Sequence, residues 1–480
     1  MFGYGLSALL RLAGPSLTDQ FVDTYRSDQS RRLPIITSLT LTGDTEVISA
    51  PAREPAILVS ATGEPANKTR LILSTALGNG LEIFDFTVFS FFAGFIGNAF
   101  FPAKDPFISL LLAVGTFGAG FLARPIGAVV IGGYADRVGR RSGMTLSILL
   151  MAAGTATIAL CPQYNRIGIA APFIVLAGRL LQGFAAGGEV GAATTYLMES
   201  AAWNRRGYMV SWQMVSQGAA ATLGAVCGFS LSRFMNPESL AAWGWRIPFL
   251  LGTLIAPVGY YIRRHLPESE PAGGTDHRIK IVALLTDYRK KLVTAILVLM
   301  SQSVTMYVVV FFMPSYLTRV MHFAPASGFL AATVSSITLT VVAFIGGRLV
   351  DRMPCRKPLV MCATSLSAAL CLPAFFILTH ACNLGVVIVV VFLMTACLSS
   401  GLVATLLLLM EMFPASVRAT GSATAVAIAV TLFGGTAQLA VTALIAKTGD
   451  PMFAGYYVLI FNAISITVLA FYREIKPETK

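Results

Sequence analysis

Five ionisable residues in the first half of the chain stand inside long apolar stretches. They are Glu82, Asp85, Arg124, Arg179 and Glu189. Ionisable side chains are costly in apolar surroundings and usually mark a functional site there. A carboxyl group can take up and release a proton, and a guanidinium group offers a planar fork that binds a carboxylate. These residue types therefore indicate a site that handles protons together with an anion.

The carboxyl groups of Glu82 and Asp85 are three residues apart, so their side chains share one face of a helix, with Asn79 one turn further back. Two carboxylates this close in a low dielectric do not both ionise easily, and one is expected to hold a proton. We predict that the pair accepts and releases a proton. The alternative is that one acid is permanently paired with an arginine and only fixes the first helix to the second or the fourth.

The two arginines are candidates for binding a carboxylate of a substrate. Arg179 lies near the middle of its apolar stretch, with Gln182 three residues further on, and is the first candidate. Arg124 precedes Gly132 by eight residues, about 12 Å along a helix, which is too deep to reach the membrane surface easily. Arg124 must therefore face the interior, where it binds substrate or forms an internal salt bridge.

Other polar residues complete the predicted site. Glu189 follows Gln182 by seven residues on nearly the same face, so it could relay protons or pair with the basic loop at 205–206. The predicted proton-coupling residues are Glu82, Asp85 and Glu189. The predicted substrate-binding residues are Arg179, Arg124, Asn79, Gln182, Gln213 and Gln438.

The second half of the chain has no Asp, Glu, Lys or Arg in the interior of its apolar stretches. It can therefore offer a substrate only dipoles and shape, from Gln302, Ser303, Thr305, Tyr307, Gln438 and Asn462. A separate feature of the first half is a run of small residues, which predicts close helix packing. These glycines are Gly183, Gly187, Gly188 and Gly191.

The elements that position these residues follow from the composition. Of the 480 residues, 55% are hydrophobic and 12% are charged, against about 25% charged in an ordinary soluble domain. A mean hydropathy of +0.73 excludes a soluble enzyme, a nucleic-acid binder and a disordered scaffold. Segments of about 20 apolar residues predict membrane-spanning helices. The predicted spans are 74–99, 107–132, 143–162, 168–195, 208–231, 244–262, 292–316, 327–347, 358–380, 384–410, 419–445 and 452–472.

Twelve spans predict an all-α membrane protein made of two six-helix halves. Basic residues concentrate in alternate loops, which places both termini in the cytoplasm and the protein in the inner membrane. Residues 1–70 are polar with balanced charge and are expected to form a cytoplasmic tail or to precede the true start. The predicted divisions are a tail at 1–70, bundles at 71–264 and 292–473, a central loop at 265–291 and a second tail at 474–480.

A repeated motif supports the two halves. Gly, three residues, Asp-Arg and then a basic pair occur after the second and the eighth spans, with the two aspartates 215 residues apart. Matching elements in two halves are typical of transporters. The glycine lets the helix end approach a neighbour, and the aspartate can cap a helix or pair with an arginine. The predicted gating residues are Gly132, Asp136, Arg137, Arg140, Arg141, Gly347, Asp351 and Arg352.

With these motifs the chain resembles the major facilitator superfamily over residues 74–473. More narrowly it resembles the metabolite:H+ symporters, and within them the citrate and tricarballylate carriers. The stretches that carry this resemblance include Glu82-x-Phe84-Asp85-Phe86, Arg124-Pro125-x-Gly127, Arg179-x-x-Gln182-Gly183, Ser211-Trp212-Gln213 and Trp243-Gly244-Trp245-Arg246. The second signature loop departs from the first, because it inserts Met353-Pro354-Cys355.

The resemblance implies import of an organic anion together with protons by alternating access, with citrate or a related tricarboxylate as the cargo. The alternatives are a dicarboxylate, 2-oxoglutarate, shikimate, or a zwitterion such as betaine or proline. The sequence shows no metal-ligand spacing, nucleotide-binding loop or catalytic triad, so we expect no cofactor, no metal and no enzymatic activity. The expected partners are the anion, protons and the lipid bilayer, with no nucleic acid and no second copy of the chain.

Overall fold

The computed structural model describes residues 79–80, 82–138, 140–187, 197–198, 201–264, 284–380, 383–414 and 417–474. Within these ranges the regular structure is helical, without strands. Several predicted features lie outside the described residues: the tail at 1–70, most of the central loop at 265–291, and Glu189. The same holds for the side chains of Asp136, Arg137, Arg140 and Arg141.

Twelve main helical segments follow one another in the described part of the chain, and we label them α1 to α12. The first, α1, is a bent pair, Glu82–Phe91 and Ala93–Phe100. The others are α2 Pro106–Tyr134, α3 Ser142–Leu160, α4 Ala170–Ala186, α5 Arg206–Phe234, α6 Ile247–Arg264, α7 Arg289–Phe311, α8 Pro325–Asp351, α9 Lys357–His380, α10 Leu384–Met412, α11 Arg418–Thr448 and α12 Phe453–Phe471. Nine of these are long and apolar enough to cross a membrane, and the bent pair makes a tenth. The helical content agrees with the predicted fold class.

The beginning of α2 and the bend of α1 have local causes. Asp105 accepts a hydrogen bond from the Phe107 backbone N–H at 2.9 Å and caps α2, with Pro106 at the first helical position. The two parts of α1 meet at Phe92 at an angle of 68°. Beyond the bend, Gly97 lies against the Ser109 carbonyl of α2 so closely that a Cβ would be 2.6 Å from that oxygen.

Helices α2 and α4 interlock through glycines, as the run of small residues predicts. A Cβ on Gly183 would overlap the carbonyl oxygen of Gly120, and one on Gly187 would overlap that of Arg124. In the opposite direction, a Cβ on Gly120 would lie 2.9 Å from the carbonyl oxygen of Arg179. The backbones of the two arginine-bearing helices are therefore in direct contact at both arginines.

Three segments of the second half have π-helical geometry: Met306–Phe311 in α7, Tyr316–Val320 after it, and Val430–Gly434 in α11. Such segments widen a helix turn and occur frequently at functional sites. In this chain Gly434 makes room for the ring of Tyr307, because a Cβ there would lie 2.8 Å from a ring carbon. The π-helical segments of α7 and α11 therefore pack against each other.

The two halves meet along α5 and α8 and along α2 and α11. The side chain of Asp351 accepts hydrogen bonds from the backbone N–H groups of Gly207 at 2.6 Å and Tyr208 at 2.8 Å, at the beginning of α5. In the other interface, Thr431 Oγ1 donates to the Phe121 carbonyl at 3.2 Å. The aspartate of the second signature loop thus caps a helix of the opposite half, which is one of its two predicted roles.

Candidate functional site

A cavity of about 120 Å³ lies between the two halves. Its walls come from α1, α2 and α5 on one side and from α7, α10 and α11 on the other. The described residues that line it are Asn79, Glu82, Ile83, Arg124, Gln213, Met214, Gln217, Leu299, Gln302, Ser303, Met306, Tyr307, Phe311, Leu402, Leu406, Leu409, Met410, Ser422, Val426 and Val430. The wall is mostly apolar, so its few charged and polar groups determine what it can bind.

The charged side chains in the described part of this wall form one ion pair. Arg124 Nη2 lies 2.9 Å from Glu82 Oε1, and both side chains are buried. The guanidinium also stacks near two rings, with Cζ 4.7 Å from the centroid of Phe86 and 4.6 Å from that of Phe121. The pair therefore brings one cation and one anion into the cavity, and the rings hold the cation in place.

The amide groups of Asn79 and Gln213 lie beside the ion pair. Asn79 Nδ2 donates to the Gln213 carbonyl at 3.1 Å and to Ser216 Oγ at 2.7 Å, which ties the beginning of the first helix to α5. The Gln213 side chain faces the cavity. Both predicted residues are therefore placed where a substrate could reach them.

The opposite wall, from the second half, is polar without formal charge. Gln302, Ser303 and Tyr307 follow one another along α7 and all line the cavity. Gln302 Oε1 is buried and has no hydrogen-bond partner among the described residues. The Tyr307 ring packs edge-on against Phe121, with centroids 5.6 Å apart. A substrate in the cavity would therefore meet amide and hydroxyl groups on this side.

Arg179, the first candidate for substrate contact, is buried behind this site. It is 0% exposed and does not belong to the described cavity wall. Its Nη1 donates to Gln182 Oε1 at 2.5 Å, and its Cζ lies 4.3 to 5.0 Å from three phenylalanine ring centroids. These rings belong to Phe86, Phe89 and Phe117. Its Nε and Nη2 have no hydrogen-bond partner in the described part of the chain.

Asp85 belongs to the same buried pocket as Arg179. Asp85 Oδ2 accepts a hydrogen bond from Thr155 Oγ1 at 2.5 Å, and Gln182 Nε2 donates to that same hydroxyl at 2.8 Å. The chain Arg179–Gln182–Thr155–Asp85 thus links the cation to the acid without direct contact. Asp85 Oδ1 has no partner among described groups and points at α6, where a Cβ on Gly252 would lie 2.6 Å from it.

The structure therefore separates the predicted residues into two groups. Arg124, Asn79, Gln213 and Glu82 line the cavity. The other four described residues lie outside the described cavity wall, and their predicted roles stay predictions: Asp85, Arg179, Gln182 and Gln438. The reason is helix rotation, because α1 directs Glu82 and Asp85 to different sides and α4 directs Arg179 toward the core of the first half. Gln438 instead donates to Ser90 Oγ at 2.7 Å, where α11 meets α1.

The signature loops also differ from prediction in part. A Cβ on Gly347 would lie 2.7 Å from the Gly207 carbonyl, as a close approach requires, but no described atom lies within 4 Å of one on Gly132. Arg352 is exposed, whereas Arg356 is 2% exposed and donates to the carbonyls of Val350 at 2.6 Å and Met353 at 2.7 Å. The inserted residues of the second loop are therefore held by Arg356.

The sequence shows the polarity of Gln302, Ser303 and Tyr307 but does not assign these residues to the site. The adjacent polar pair in an otherwise apolar span was the available signal for the first two. The sequence also does not assign Thr155 and Phe86 to it, because a threonine and a phenylalanine in a membrane helix are ordinary residues until their neighbours are known. No group of three or more metal-ligating side chains occurs among the described residues.

Comparison with known proteins agrees with this architecture. A family model described as Major Facilitator Superfamily matches residues 75–438. A citrate-proton symporter of Klebsiella pneumoniae is 37% identical over 396 residues, which cover 82% of this chain and 89% of that protein. A citrate-proton symporter of Salmonella typhi is 35% identical over 407 residues, covering 84% and 94%. A glycine betaine/proline/ectoine/pipecolic acid transporter of Dickeya dadantii (strain 3937) is 30% identical over 421 residues, covering 84% and 83%.

Solved structures show the same fold. The crystal structure of a D-xylose-proton symporter matches with a TM-score of 0.69 at 17% identity, covering 84% of this chain and 96% of that chain. The predicted resemblance to citrate-proton symporters is confirmed, and the relatives are transporters rather than enzymes. From its helices, its central cavity and these matches, the chain belongs to the major facilitator superfamily of multi-pass membrane transporters.

Proposed function

We propose that this protein is a proton-coupled secondary transporter that imports an organic anion, citrate or a related tricarboxylate, by alternating access. We place it in the inner membrane as a monomer, with both termini in the cytoplasm, the bundles at 71–264 and 292–473 and the central loop at 265–291. The observation that carries the proposal is the buried Arg124–Glu82 pair, 2.9 Å apart, in the wall of a cavity between the halves. The two relatives named citrate-proton symporters agree with it.

The ion pair provides a direct means of coupling. In the empty cavity the Glu82 carboxylate holds the Arg124 guanidinium, so an incoming carboxylate must compete with it for the same N–H donors. A proton from solvent that binds Glu82 removes this negative charge and frees the guanidinium for the substrate. When the substrate leaves on the other side, Glu82 releases its proton and the pair re-forms. One proton thus moves with each binding and release.

Asp85 is the second proton carrier in this proposal. Its buried carboxyl group is linked to Arg179 through Gln182 and Thr155, so a change of its protonation alters the field around Arg179. The membrane potential opposes entry of an anion by about 2.3 kcal/mol per charge per 100 mV. A fully ionised tricarboxylate needs three protons for neutral entry. With two acids on the protein, we expect citrate to carry one proton itself.

A zwitterion is the second candidate cargo, and one observation favours it. The described cavity wall carries a balanced ion pair and aromatic groups, so Arg124 could hold a carboxylate while the Tyr307 ring faces a quaternary ammonium group. The relative from Dickeya dadantii is named as a transporter of such compounds. The two cargo classes differ in net charge, and transport measurements separate them.

The test is uptake by the purified protein in proteoliposomes with an imposed pH gradient. We expect labelled citrate to accumulate, tricarboxylates to compete most strongly and betaines to compete weakly. Glu82→Gln is expected to keep citrate exchange across the membrane while the accumulation driven by the pH gradient falls, because only Asp85 remains as a proton carrier on the protein. Glu238→Gln is the matched control, because it makes the same chemical change at an exposed position outside the described cavity wall and should leave accumulation unchanged.

Two outcomes contradict the proposal. If betaine accumulates and citrate neither accumulates nor competes, the cargo is the zwitterion. If Glu82→Gln accumulates citrate along the pH gradient as well as the wild type does, the coupling proton is not on Glu82.

A further inference from the structure

Phe86 touches both arginines of the first half. Its ring centroid lies 4.7 Å from Cζ of Arg124 and 4.8 Å from Cζ of Arg179, and the residue is 3% exposed. Arg124 lines the cavity, whereas Arg179 does not. A single aromatic ring is therefore shared by a guanidinium at the cavity and a guanidinium in the buried pocket.

The pocket behind Phe86 is polar but enclosed. Asp85 is 5% exposed and Arg179 is 0% exposed, and each has side-chain atoms without a hydrogen-bond partner among the described residues. Thr155 closes the pocket from α3, and Gly252 closes it from α6. Groups of this kind would take up water readily if a path to the cavity existed. A side chain that lies between these groups and the cavity would therefore control their access to cavity water.

The ring of Phe86 has the position and the chemistry for this task. It packs against Phe121 with centroids 5.1 Å apart and against Phe117 at 6.3 Å, so it is wedged into an aromatic layer. The electron-rich face of an aromatic ring attracts cations. The ring can therefore hold two guanidinium groups apart while it excludes water. An aliphatic side chain of similar size would exclude water without that attraction.

We propose that Phe86 is a partition between the substrate cavity and the buried pocket, so that protons reach Asp85 from the cavity only when the ring moves. The inference rests on the proposed function, because it takes Asp85 as a proton carrier. It assigns to Phe86 a positioning role: the residue binds neither proton nor substrate and controls when the acid is accessible. Without the ring, cavity water would reach Asp85 in every conformation, and the empty carrier would carry protons as it alternates.

The experiment measures proton entry into proteoliposomes without any substrate, with a pH-sensitive dye inside and an imposed membrane potential. We expect Phe86→Ala to raise the leak at least about tenfold, the change that corresponds to about 1.4 kcal/mol. The double variant Phe86→Ala with Asp85→Asn is expected to return to the wild-type leak. Phe89→Ala is the matched control: it lies one turn further along α1 and covers Arg179 but not Arg124.

This assay tests the role of Phe86 independently of which substrate the protein transports, because no substrate is present. Three results would overturn the proposed partition. They are a wild-type proton leak in Phe86→Ala, a raised leak that persists in the double variant, and a leak in Phe89→Ala equal to that in Phe86→Ala. Failure of citrate transport alone would overturn the proposed cargo and leave this result standing. If Phe86→Ala does not give a monodisperse protein, Phe86→Ser, which also empties the space of the ring, is measured in its place and judged by the same outcomes.

Discussion

The two halves of this transporter contribute to its cavity in different ways. The first half supplies the ion pair of Glu82 and Arg124, and the second supplies Gln302, Ser303 and Tyr307. No formal charge from the second half lines the described cavity. The electrostatic attraction for a substrate is therefore concentrated on one side, and the other side can recognise only shape and hydrogen-bonding groups. We expect substitutions in the first half to change affinity strongly and those in the second half to adjust it.

The largest expected effect comes from removing the cation. Arg124→Gln removes the charge-assisted contact with a substrate carboxylate, worth about 3 kcal/mol, so we expect citrate affinity to fall roughly 100-fold. Equilibrium binding of labelled citrate to the purified protein measures this. If Arg124→Gln binds citrate with wild-type affinity, the first half does not supply the main electrostatic attraction for the substrate.

A control separates binding from folding in that experiment. Arg124→Gln leaves the buried Glu82 carboxylate without its cation, which is destabilising. The double variant Arg124→Gln with Glu82→Gln removes both charges, and we expect it to regain thermal stability without regaining citrate affinity. Arg179→Gln is a second control, since Arg179 lies outside the described cavity wall and should leave equilibrium binding largely unchanged.

A smaller effect is expected when the second half is given a charge. Gln302→Glu places a carboxylate on the neutral wall with almost no change of shape. Repulsion of an anionic substrate at a cost of about 1.4 kcal/mol raises the KM for citrate roughly tenfold. The isosteric reference is the wild-type glutamine, and Gln302→Met tests the loss of polarity alone. A lower KM in Gln302→Glu would show that the second half faces a positive part of the substrate.

The smallest effect is expected from Tyr307→Phe. Removing the hydroxyl group costs one neutral hydrogen bond to the substrate, about 0.5–1.5 kcal/mol, so the KM for citrate should rise about threefold to tenfold. The aromatic packing against Phe121 is kept in this variant. Inhibition of citrate uptake by betaine should not change, because the aromatic ring that would face its quaternary ammonium group is kept. A complete loss of uptake would mean that the second half contributes more than adjustment.

The sequence was sufficient to predict the fold class and the concentration of buried charge in the first half. Spans of about 20 apolar residues and the repeated signature motif carry that information without any knowledge of packing. Four of the predicted site residues, Glu82, Arg124, Asn79 and Gln213, line the cavity, and their roles there stay predictions.

The sequence could not predict that Arg179 lies behind the cavity wall. A helix that is apolar on every side gives no stripe from which its rotation can be read. Arg124 and Arg179 look alike in sequence, since each is a lone arginine in an apolar span, and only the neighbouring rings and acids distinguish them. For the same reason, the three-residue spacing of Glu82 and Asp85 does not show that the Glu82 carboxyl group lines the cavity while that of Asp85 lies in the buried pocket.

The glycine contacts between α2 and α4 have a consequence for the transport cycle. With backbone against backbone at both Arg124 and Arg179, a slide of one turn, about 5.4 Å, would drive side chains into carbonyl groups. The backbones of α2 and α4 at the two arginines are therefore expected to move together during alternating access. We expect relative movement within the first half to involve α1, which carries both acids and Phe86 and is bent by 68° at Phe92. A movement of α1 would then change the distances from the two acids to both arginines at once.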